Sequence, residues 1–265
     1  MREPRLVTLY SGSDGNSTFI SSGTTNILID AGKSARTLCA RLTEIGSDIS
    51  KISAIFITHE HSDHISALET ISKKHHIPIH ITNGSAKKLD RVPCAAVHSC
   101  IIRHETLFCE QVGNITVSSF ATPHDSLMSV GYRIEFNTDD THHIFGVATD
   151  IGHVSESVRA GLIGCEAVVL ESNHDEQMLL EGPYPRDLKM RILSKRGHLS
   201  NKDSALFAGE LAANGTRNII LAHLSRENNE PTLAFDEVYS AISDDSVCIA
   251  VASPDHPTEI VLTEV

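Results

Sequence analysis

Short apolar runs rich in β-branched residues alternate with polar turns at the start of the chain. Such runs, when Gly, Ser, Asn and Asp separate them, are typical of β-strands. They occupy residues 5–12, 17–23 and 25–32. The next segment, from about Ser34 to Ile45, has the apolar spacing of a helix. We therefore expect three consecutive strands followed by a helix.

A further apolar run, ISAIFIT at residues 52–58, predicts a buried strand that leads directly into the polar segment HEHSDH. Beyond that segment, Ile65, Leu68 and Ile71 recur at helical spacing. The histidines are therefore expected on a turn between a strand and a helix. Enzymes with α/β folds often carry their catalytic groups on such turns.

The rest of the chain continues as a mixed α/β pattern. Strands are predicted at residues 78–82, 115–125, 129–136, 142–152, 165–175, 218–225 and 246–253, and helices at 155–162 and at about 185–195, 202–213 and 235–242. Many of the strands end in His or Asp, as in ATPHD, ATDIG, ESNHD and LAHLS. We therefore predict an α/β sandwich in which one edge of the sheets gathers metal-binding side chains.

Length and composition predict a single catalytic domain over residues 1–265. The chain is 40% hydrophobic and contains no repeat or long Pro/Gly-rich linker. No apolar run approaches the roughly 20 residues needed to cross a bilayer, and residues 1–10 lack the apolar core of a signal peptide. We expect a cytoplasmic protein that does not bind membranes. The six cysteines include no CxxC pair, which favours reduced thiols over a disulfide framework.

The charge balance limits the possible partners. With 22 basic and 34 acidic residues, the net charge of −12 argues against broad, non-specific attraction to a phosphate polymer. A nucleic-acid substrate would need a local basic patch or the charge of bound metals.

The segment His59, His61, Asp63 and His64 is the strongest chemical signal in the sequence. Four nitrogen or oxygen ligands within six residues are more than one structural zinc ion needs, and they suit two adjacent metals. The remaining ligands are expected at the ends of later strands. His124, Asp150 and His223 fit, and a carboxylate such as Asp150 can bridge two ions.

Two divalent ions would make hydroxide available near neutral pH by lowering the pKa of a shared water. Histidine and aspartate suit Zn²⁺, Mn²⁺ and Fe alike, so the sequence leaves the metal open. Asp30 is predicted to orient a ligand histidine, because metal-bound imidazoles usually need an acceptor on the other ring nitrogen. A turn residue at the end of a strand is the alternative for Asp30.

A local basic segment lies at residues 186–196, where five Lys and Arg residues accompany one Asp. Arg186 and Lys189 are predicted to hold a substrate backbone, and the adjoining GHLSN motif offers further hydrogen bonds to phosphate. His198 of that motif and Asp63 of the HEHSDH segment are predicted to be catalytic. The predicted substrate contacts are Ser200 and Asn201 of the same motif, together with Asn173 and His174 of the segment ESNHD. An ordinary solvated helix face and packing roles are the alternatives.

These motifs resemble the metallo-β-lactamase superfamily over nearly the whole chain. The resemblance rests on ILIDAG, FITHEHSDH, ATPHD, ATDIG and LAHLS. It implies that one metal is held by His59, His61 and His124 and the other by Asp63, His64 and His223, with Asp150 bridging them.

Three further segments, SGSDGNS, residues 171–201 and LAHLSRENN, are similar to the YycJ/WalJ-type exonucleases of that superfamily. This resemblance implies a metal-dependent exonuclease that degrades DNA from 5′ to 3′. The sequence departs from the common SGSSGNS pattern at Asp14, which leaves the ligand cluster unchanged.

Other functions stay open at the level of sequence. An RNA-processing hydrolase would use the same metals, while a thioester or lactam hydrolase would leave the basic segment unexplained. A metal-binding scaffold without catalysis is a different class of function. The presence of all seven ligand candidates argues against the scaffold.

Overall fold

The computed structural model describes residues 3–138 and 141–260. Two mixed sheets, each of seven strands, lie in this part of the chain. The first sheet contains β1 (Arg5–Tyr10), β2 (Ser17–Ser22), β3 (Thr25–Ile29), β4 (Ala54–Phe56), β5 (Ile79–Thr82), β6 (Ile101–His104) and β14 (Thr258–Ile260). The second contains β7 (Cys109–Val112), β8 (Ile115–Ala121), β9 (Val130–Thr138), β10 (Thr141–Ala148), β11 (Ala167–Glu171), β12 (Asn218–Ala222) and β13 (Cys248–Val251).

Each sheet joins an antiparallel half to a parallel half. The first has the order β14-β1-β2-β3-β4-β5-β6, and its strands are parallel from β3 onward. The second has the order β13-β12-β11-β10-β9-β8-β7 and is parallel from β10 to β13. Because parallel strands end at the same edge of a sheet, their carboxyl ends bring residues from distant parts of the chain together.

Helices flank the two sheets. They are α1 (Ala35–Glu44), α2 (Ser62–Ile65), α3 (Leu68–His75), α4 (Asn83–Leu89), α5 (Ala95–Cys100), α6 (Glu156–Leu162), α7 (Glu176–Glu181), α8 (Arg186–Ile192), α9 (Asn201–Ala213) and α10 (Pro231–Ala241). In four of them the cap residue, Ser34, Ser155, Asp175 or Ser200, accepts a hydrogen bond from the backbone N–H three residues on. Such a cap typically contributes about 1 kcal/mol.

Strand periodicity divides the buried apolar residues into three layers. In β12, Ile219 and Leu221 join the cluster under α6, α9 and α10. The alternate residues Ile220 and Ala222 join a cluster between the sheets, together with Phe56 of β4. A third cluster packs α1, α3, α4 and α5 on the first sheet. The architecture is therefore helix, sheet, sheet, helix, as the sequence predicts.

The sequence analysis missed several short elements. It predicted nothing between residues 83 and 114, where α4, α5, β6 and β7 lie, and it also missed α7 and β14. The predicted basic helix of about 185–195 is shorter in the structure, because α8 ends at Ile192 and a turn follows. Among the described residues, no helix is both long enough and apolar enough to cross a membrane. One domain over 1–265 stays a prediction, and the ends of that range lie outside the described residues.

Candidate metal centre

Three polar residues leave their strands in the left-handed backbone region. Asp30 follows β3, Asp150 follows β10 and His223 follows β12, with φ of 64°, 58° and 59°. This conformation is uncommon for residues other than glycine and recurs at functional sites. The turns place all three side chains at the edge of the sheets that the parallel strands define.

One half of the site consists of His59, His61 and His124. His59 and His124 are buried and His61 is half-buried. Each residue can present a ring nitrogen within 4.8 Å of those of the other two, and Nε2 of His124 lies 3.4 Å from Nδ1 of His61. Three imidazoles at this spacing can hold one transition-metal ion.

The other half consists of Asp63, His64 and His223, whose ligand atoms also lie within 4.8 Å of one another. Oδ2 of Asp63 is 3.2 Å from Nε2 of His64 and 3.7 Å from Nε2 of His223. Asp63 and His64 lie on the short helix α2, directly after His61. The local turn therefore presents neighbouring residues to opposite halves of the site.

Asp150 lies between the two halves. Its Oδ2 is 3.3 Å from Nε2 of His64, while its Oδ1 is 3.7 Å from Nε2 of His124 and 3.6 Å from Nε2 of His223. The carboxylate thus reaches ligands of both halves. This is the geometry needed for a bridge between two cations.

Buried polar atoms without partners test whether metal ions fit this site. Nε2 of His59, Nε2 of His223 and Oδ2 of Asp150 are buried and have no hydrogen-bond partner among the described residues. Such atoms are costly in a folded protein unless something binds them. Divalent cations would satisfy all three, so the residues fit a metal centre, and imidazole with carboxylate suits Zn²⁺, Mn²⁺ or Fe.

Two buried carboxylates support the imidazoles from behind. Nδ1 of His64 donates to Oδ2 of Asp30 at 2.8 Å, and Asp30 also accepts from the backbone N–H and hydroxyl of Thr58. On the other side, Oε1 of Glu171 accepts from Nδ1 of His223 at 2.9 Å. These contacts direct the Nε2 atoms of both histidines toward Asp63 and Asp150.

The carboxylates also set the electrostatics of the site. Burial lowers the pKa of His64, but Asp30, Asp150 and Asp63 raise it further, so the net pKa lies well above its usual value. Burial and the neighbouring His64 hold the pKa of His59 well below its usual value. The site therefore concentrates buried negative charge, which favours cations.

Comparison with known proteins places the chain in a family. A model described as the β-lactamase superfamily domain matches residues 25–224. The chain belongs to this superfamily. It is 32% identical to the exodeoxyribonuclease YycJ of Bacillus anthracis, over 95% of the chain and 94% of that protein. It is 33% identical to the exodeoxyribonuclease WalJ of Streptococcus pneumoniae, over 97% of the chain and 96% of that protein.

Solved structures of this superfamily share the fold. The metallo-β-lactamase fold protein YhfI of Bacillus subtilis aligns with a TM-score of 0.71 at 18% identity, over 97% of the chain and all of that protein. Zn²⁺-bound PqqB of Methylobacterium extorquens aligns at 0.66 and 16% identity, over 97% of the chain and 100% of that protein. The predicted metallo-β-lactamase fold, the resemblance to the YycJ/WalJ-type exonucleases and the assignment as a hydrolase are confirmed.

Two of the predicted catalytic and substrate-binding residues line a cavity of about 190 Å³ beside the candidate metal centre. They are His198 and Asn173, and Tyr184 and Arg191 line the same cavity. Nδ1 of His198 donates to Glu171 at 2.8 Å, whereas Asn173 donates to the backbone oxygen of His223 at 2.7 Å. The structure thus brings His198 next to the predicted ligands.

The other predicted substrate residues are placed differently. Ser200 caps α9 and accepts from the N–H of Asp203, and Asn201 lies in a buried network with Ser172 and Asn229. These contacts account for both side chains without a substrate. His174 is 1% exposed, and neither of its ring nitrogens has a partner among the described residues.

The basic residues of α8 lie beside the site. Arg186 is exposed, whereas Lys189 donates to the backbone oxygen of Leu180 at 2.6 Å. Arg191 pairs with Asp125, which follows His124 in the chain. Of these three, Arg191 is the one that lines cavities next to the metal centre.

Glu171 is the main site residue that the sequence analysis missed. It is fully buried at the end of β11, and its Oε1 accepts from both His198 and His223. Its Oε2 accepts from the backbone N–H of Ile151 and Leu199. An acidic residue that ends a wholly apolar strand was the available signal, since buried carboxylates need partners.

Proposed function

We propose that this protein is a metal-dependent phosphodiesterase that degrades DNA from a 5′ end, with two divalent ions at the site described above. The observation that carries the proposal is the convergence of seven potential ligands in a chain about one-third identical to exodeoxyribonucleases over nearly its full length. The 5′-to-3′ direction rests on the resemblance to YycJ/WalJ-type enzymes.

The residues divide into two ligand sets and a bridge. His59, His61 and His124 would hold one ion, Asp63, His64 and His223 would hold the other, and Asp150 would contact both. Bound divalent ions supply Lewis acidity and make hydroxide available near neutral pH. The side chain of Asp63 is 20% exposed, so it is accessible from the cavity that it lines.

His198 is the proposed proton donor. Burial lowers the pKa of His198, but Glu171 raises it further, so the net pKa lies above its usual value. The protonated ring donates its Nδ1–H to Glu171 and keeps an Nε2–H that can be donated to a phosphate or leaving oxygen. The ring lies 5.2 Å from that of His124 and 5.1 Å from that of His223 between ring centroids. Correctly placed proton donors typically accelerate such reactions by about 10²–10⁴-fold.

The cavity beside His198 is the proposed site for the end of the strand. Asn173 and Arg191 offer amide and guanidinium donors to a terminal phosphate there. Arg186 and Lys189 are proposed to attract the backbone from α8, and His174 stays a proposed contact of the same rim. The structural contacts of Ser200 and Asn201 leave no substrate role to propose for them.

Digestion of end-labelled nucleic acid tests the proposal. DNA labelled at either end, and RNA of the same sequence, would be incubated with the protein across a panel of Zn²⁺, Mn²⁺, Fe²⁺ and Mg²⁺. We expect metal-dependent release of nucleotides from 5′ ends of DNA and none with Asp63→Ala or His64→Ala. Faster cleavage of RNA would favour an RNA-processing hydrolase, since only RNA offers the 2′-hydroxyl. A fully metallated protein that degrades neither polymer would refute the proposal.

A further inference from the structure

A second and larger cavity also borders the candidate metal centre. Its volume is about 530 Å³, and His61 and Asp63 form part of its wall. Glu60 lines the same cavity, as do Lys87, Lys88 and Arg91 from the end of α4 and the turn after it. This basic group lies outside the basic segment of α8, and the proposed reaction makes no use of it.

The positive charge of this group is not neutralised locally. Lys87, Lys88 and Arg91 are exposed, and within the described residues none of them forms an ion pair with an acidic side chain. The neighbouring Asp90 pairs with Arg103 instead. Three free cations facing one cavity are unexpected in a chain with a net charge of −12.

Helix stabilisation accounts for only part of this arrangement. Lys87 and Lys88 occupy the last turn of α4, where cations interact favourably with the helix dipole. Arg91 lies two residues beyond the last residue of α4. All three side chains line the same cavity as two predicted metal ligands, and stabilisation of the helix does not require this placement.

Arg191 of α8 lines both cavities. The smaller one, beside His198, suits the end of a strand. The larger one is lined by four cationic side chains, by the acidic Glu60 and Asp63, and by His61, Ser62 and Leu127, and no Phe, Tyr or Trp contributes to it. Such a surface can bind a phosphate backbone by charge but offers no aromatic ring on which bases stack.

We propose that Lys87, Lys88 and Arg91 bind the phosphates of the nucleic-acid strand that continues beyond the scissile bond. This inference rests on the proposed function, because it presumes a nucleic-acid substrate. The contact is to backbone phosphates, so it is independent of sequence. It makes the enzyme favour a long strand over a small phosphodiester.

The test compares two triple variants with the same loss of charge. The first is Lys87→Gln, Lys88→Gln and Arg91→Gln. The control is Arg36→Gln, Lys51→Gln and Lys74→Gln, three exposed residues without an ion pair among the described residues. Of these, Lys51 ends a short 3₁₀ turn (Ile49–Lys51) that precedes β4, whereas His59 follows β4. Arg36 and Lys74 line a separate cavity.

For both variants, kcat/KM would be measured on single-stranded DNA of about 20 nucleotides at several salt concentrations. Each phosphate contact contributes about 0.7 to the slope of log(kcat/KM) against log salt on single-stranded DNA. The same measurement would be made on bis(p-nitrophenyl) phosphate. We expect the fall in kcat/KM of the first variant to be at least about tenfold greater on the DNA strand than on the small diester. Its slope of log(kcat/KM) against log salt should be shallower by about 2. The control variant should retain the wild-type slope.

The outcomes separate the two proposals. Wild-type protein that cleaves the small diester but no nucleic acid would overturn the proposed function, and this binding surface with it. Wild-type protein that degrades DNA, while the first variant keeps the salt slope of the control, would overturn the surface alone. Should the triple variant fail to fold, Lys88→Gln and Arg91→Gln are each expected to reduce the slope by about 0.7.

Discussion

The Oδ2 atom of Asp30 lies 2.8 Å from Nδ1 of His64, although 34 residues separate them in the chain. Asp30 is held in turn by the backbone N–H and the hydroxyl of Thr58. This chain of contacts fixes the ring of His64, whose Nε2 faces Asp63 and Asp150. The orientation of a proposed metal ligand is therefore set by a residue that does not reach the ion.

Substitution of Asp30 is expected to weaken metal binding. We predict that Asp30→Asn lowers affinity for one of the two ions by about 10–100-fold, because the amide no longer stabilises the imidazole as a carboxylate does. Asparagine tolerates the left-handed backbone of this position, so the fold should be preserved. Titration against a chelator of known affinity measures the effect. Asp48→Asn, at an exposed helix cap, is the control, and equal affinities in the two variants would contradict the prediction.

Glu171 has a different role, because it contacts both a proposed ligand and the proposed proton donor. In Glu171→Gln one oxygen is replaced by a donor, so the side chain cannot accept from His198, His223 and the backbone groups together. We predict a fall in kcat of about 10²–10⁴-fold at saturating metal with a much smaller change in KM.

Steady-state digestion of labelled DNA measures that split between kcat and KM. Glu166→Gln is a suitable control, since Glu166 pairs with His143 away from the proposed centre. A kcat for Glu171→Gln within threefold of the control would show that Glu171 does not position the reacting groups. Thermal unfolding of both variants would separate this effect from a loss of stability.

Local sequence was sufficient for much of the centre. His59, His61, Asp63 and His64 lie within one segment of six residues, and His124, Asp150 and His223 each follow an apolar strand. Since parallel strands end at one edge, their meeting could be expected before the structure was known. Their ligand roles stay predictions, because the geometry alone does not include an ion.

Contacts between distant segments could not be predicted in the same way. Glu171 ends a strand like several other polar residues, and its pairing with His198 depends on how β11 packs beside the loop before α9. Ser200 could equally contact phosphate or cap a helix from sequence alone, and in the structure it caps one. The edge strands β6 and β7 escaped prediction because they are short and only partly buried.

Gly32 determines how the ligand turn packs. A Cβ atom here would overlap the backbone carbonyl of Asp63 and approach the backbone nitrogen of Asn16. That nitrogen donates to the same carbonyl at 2.8 Å, so the backbone cannot simply shift. We predict that Gly32→Ala reduces the free energy of unfolding by about 3 kcal/mol, as severe overpacking does, and also lowers metal content.

Gly164→Ala is the matched control for Gly32→Ala. Gly164 has a positive φ of 78°, but nothing lies within 4 Å of a Cβ placed there. Its substitution should therefore cost only the backbone strain, about 1 kcal/mol. Urea unfolding of both variants and metal analysis provide the comparison. Similar losses in the two variants would show that the contact with Asp63 is unimportant.

Removal of metal is expected to destabilise the whole protein. Without cations, the buried carboxylates of Asp30, Asp150 and Glu171 and the partly exposed carboxylate of Asp63 crowd one site, and the Nε2 atoms of His59 and His223 remain unsatisfied. Saturating metal at about 100 times its Kd stabilises a fold by about 2.7 kcal/mol, which corresponds to a Tm change of about 5–10 °C. Calorimetry before and after dialysis against a chelator measures it. Restored Tm on re-addition of Zn²⁺ or Mn²⁺ is the control, and an unchanged Tm would contradict a metal site.

His80 makes stability depend on pH at a place remote from the metal centre. It stacks on Phe56 and contacts His104, and burial followed by the neighbouring His104 lowers its pKa to about 4. Between about pH 6.5 and 4 the unfolded chain binds more protons at this residue than the folded state, so the free energy of unfolding falls as pH decreases. We predict a shallower fall for His80→Gln, measured by urea unfolding across this range. His256→Gln, at an exposed position, should retain the wild-type slope, and the same slope in both variants would exclude His80 as the cause.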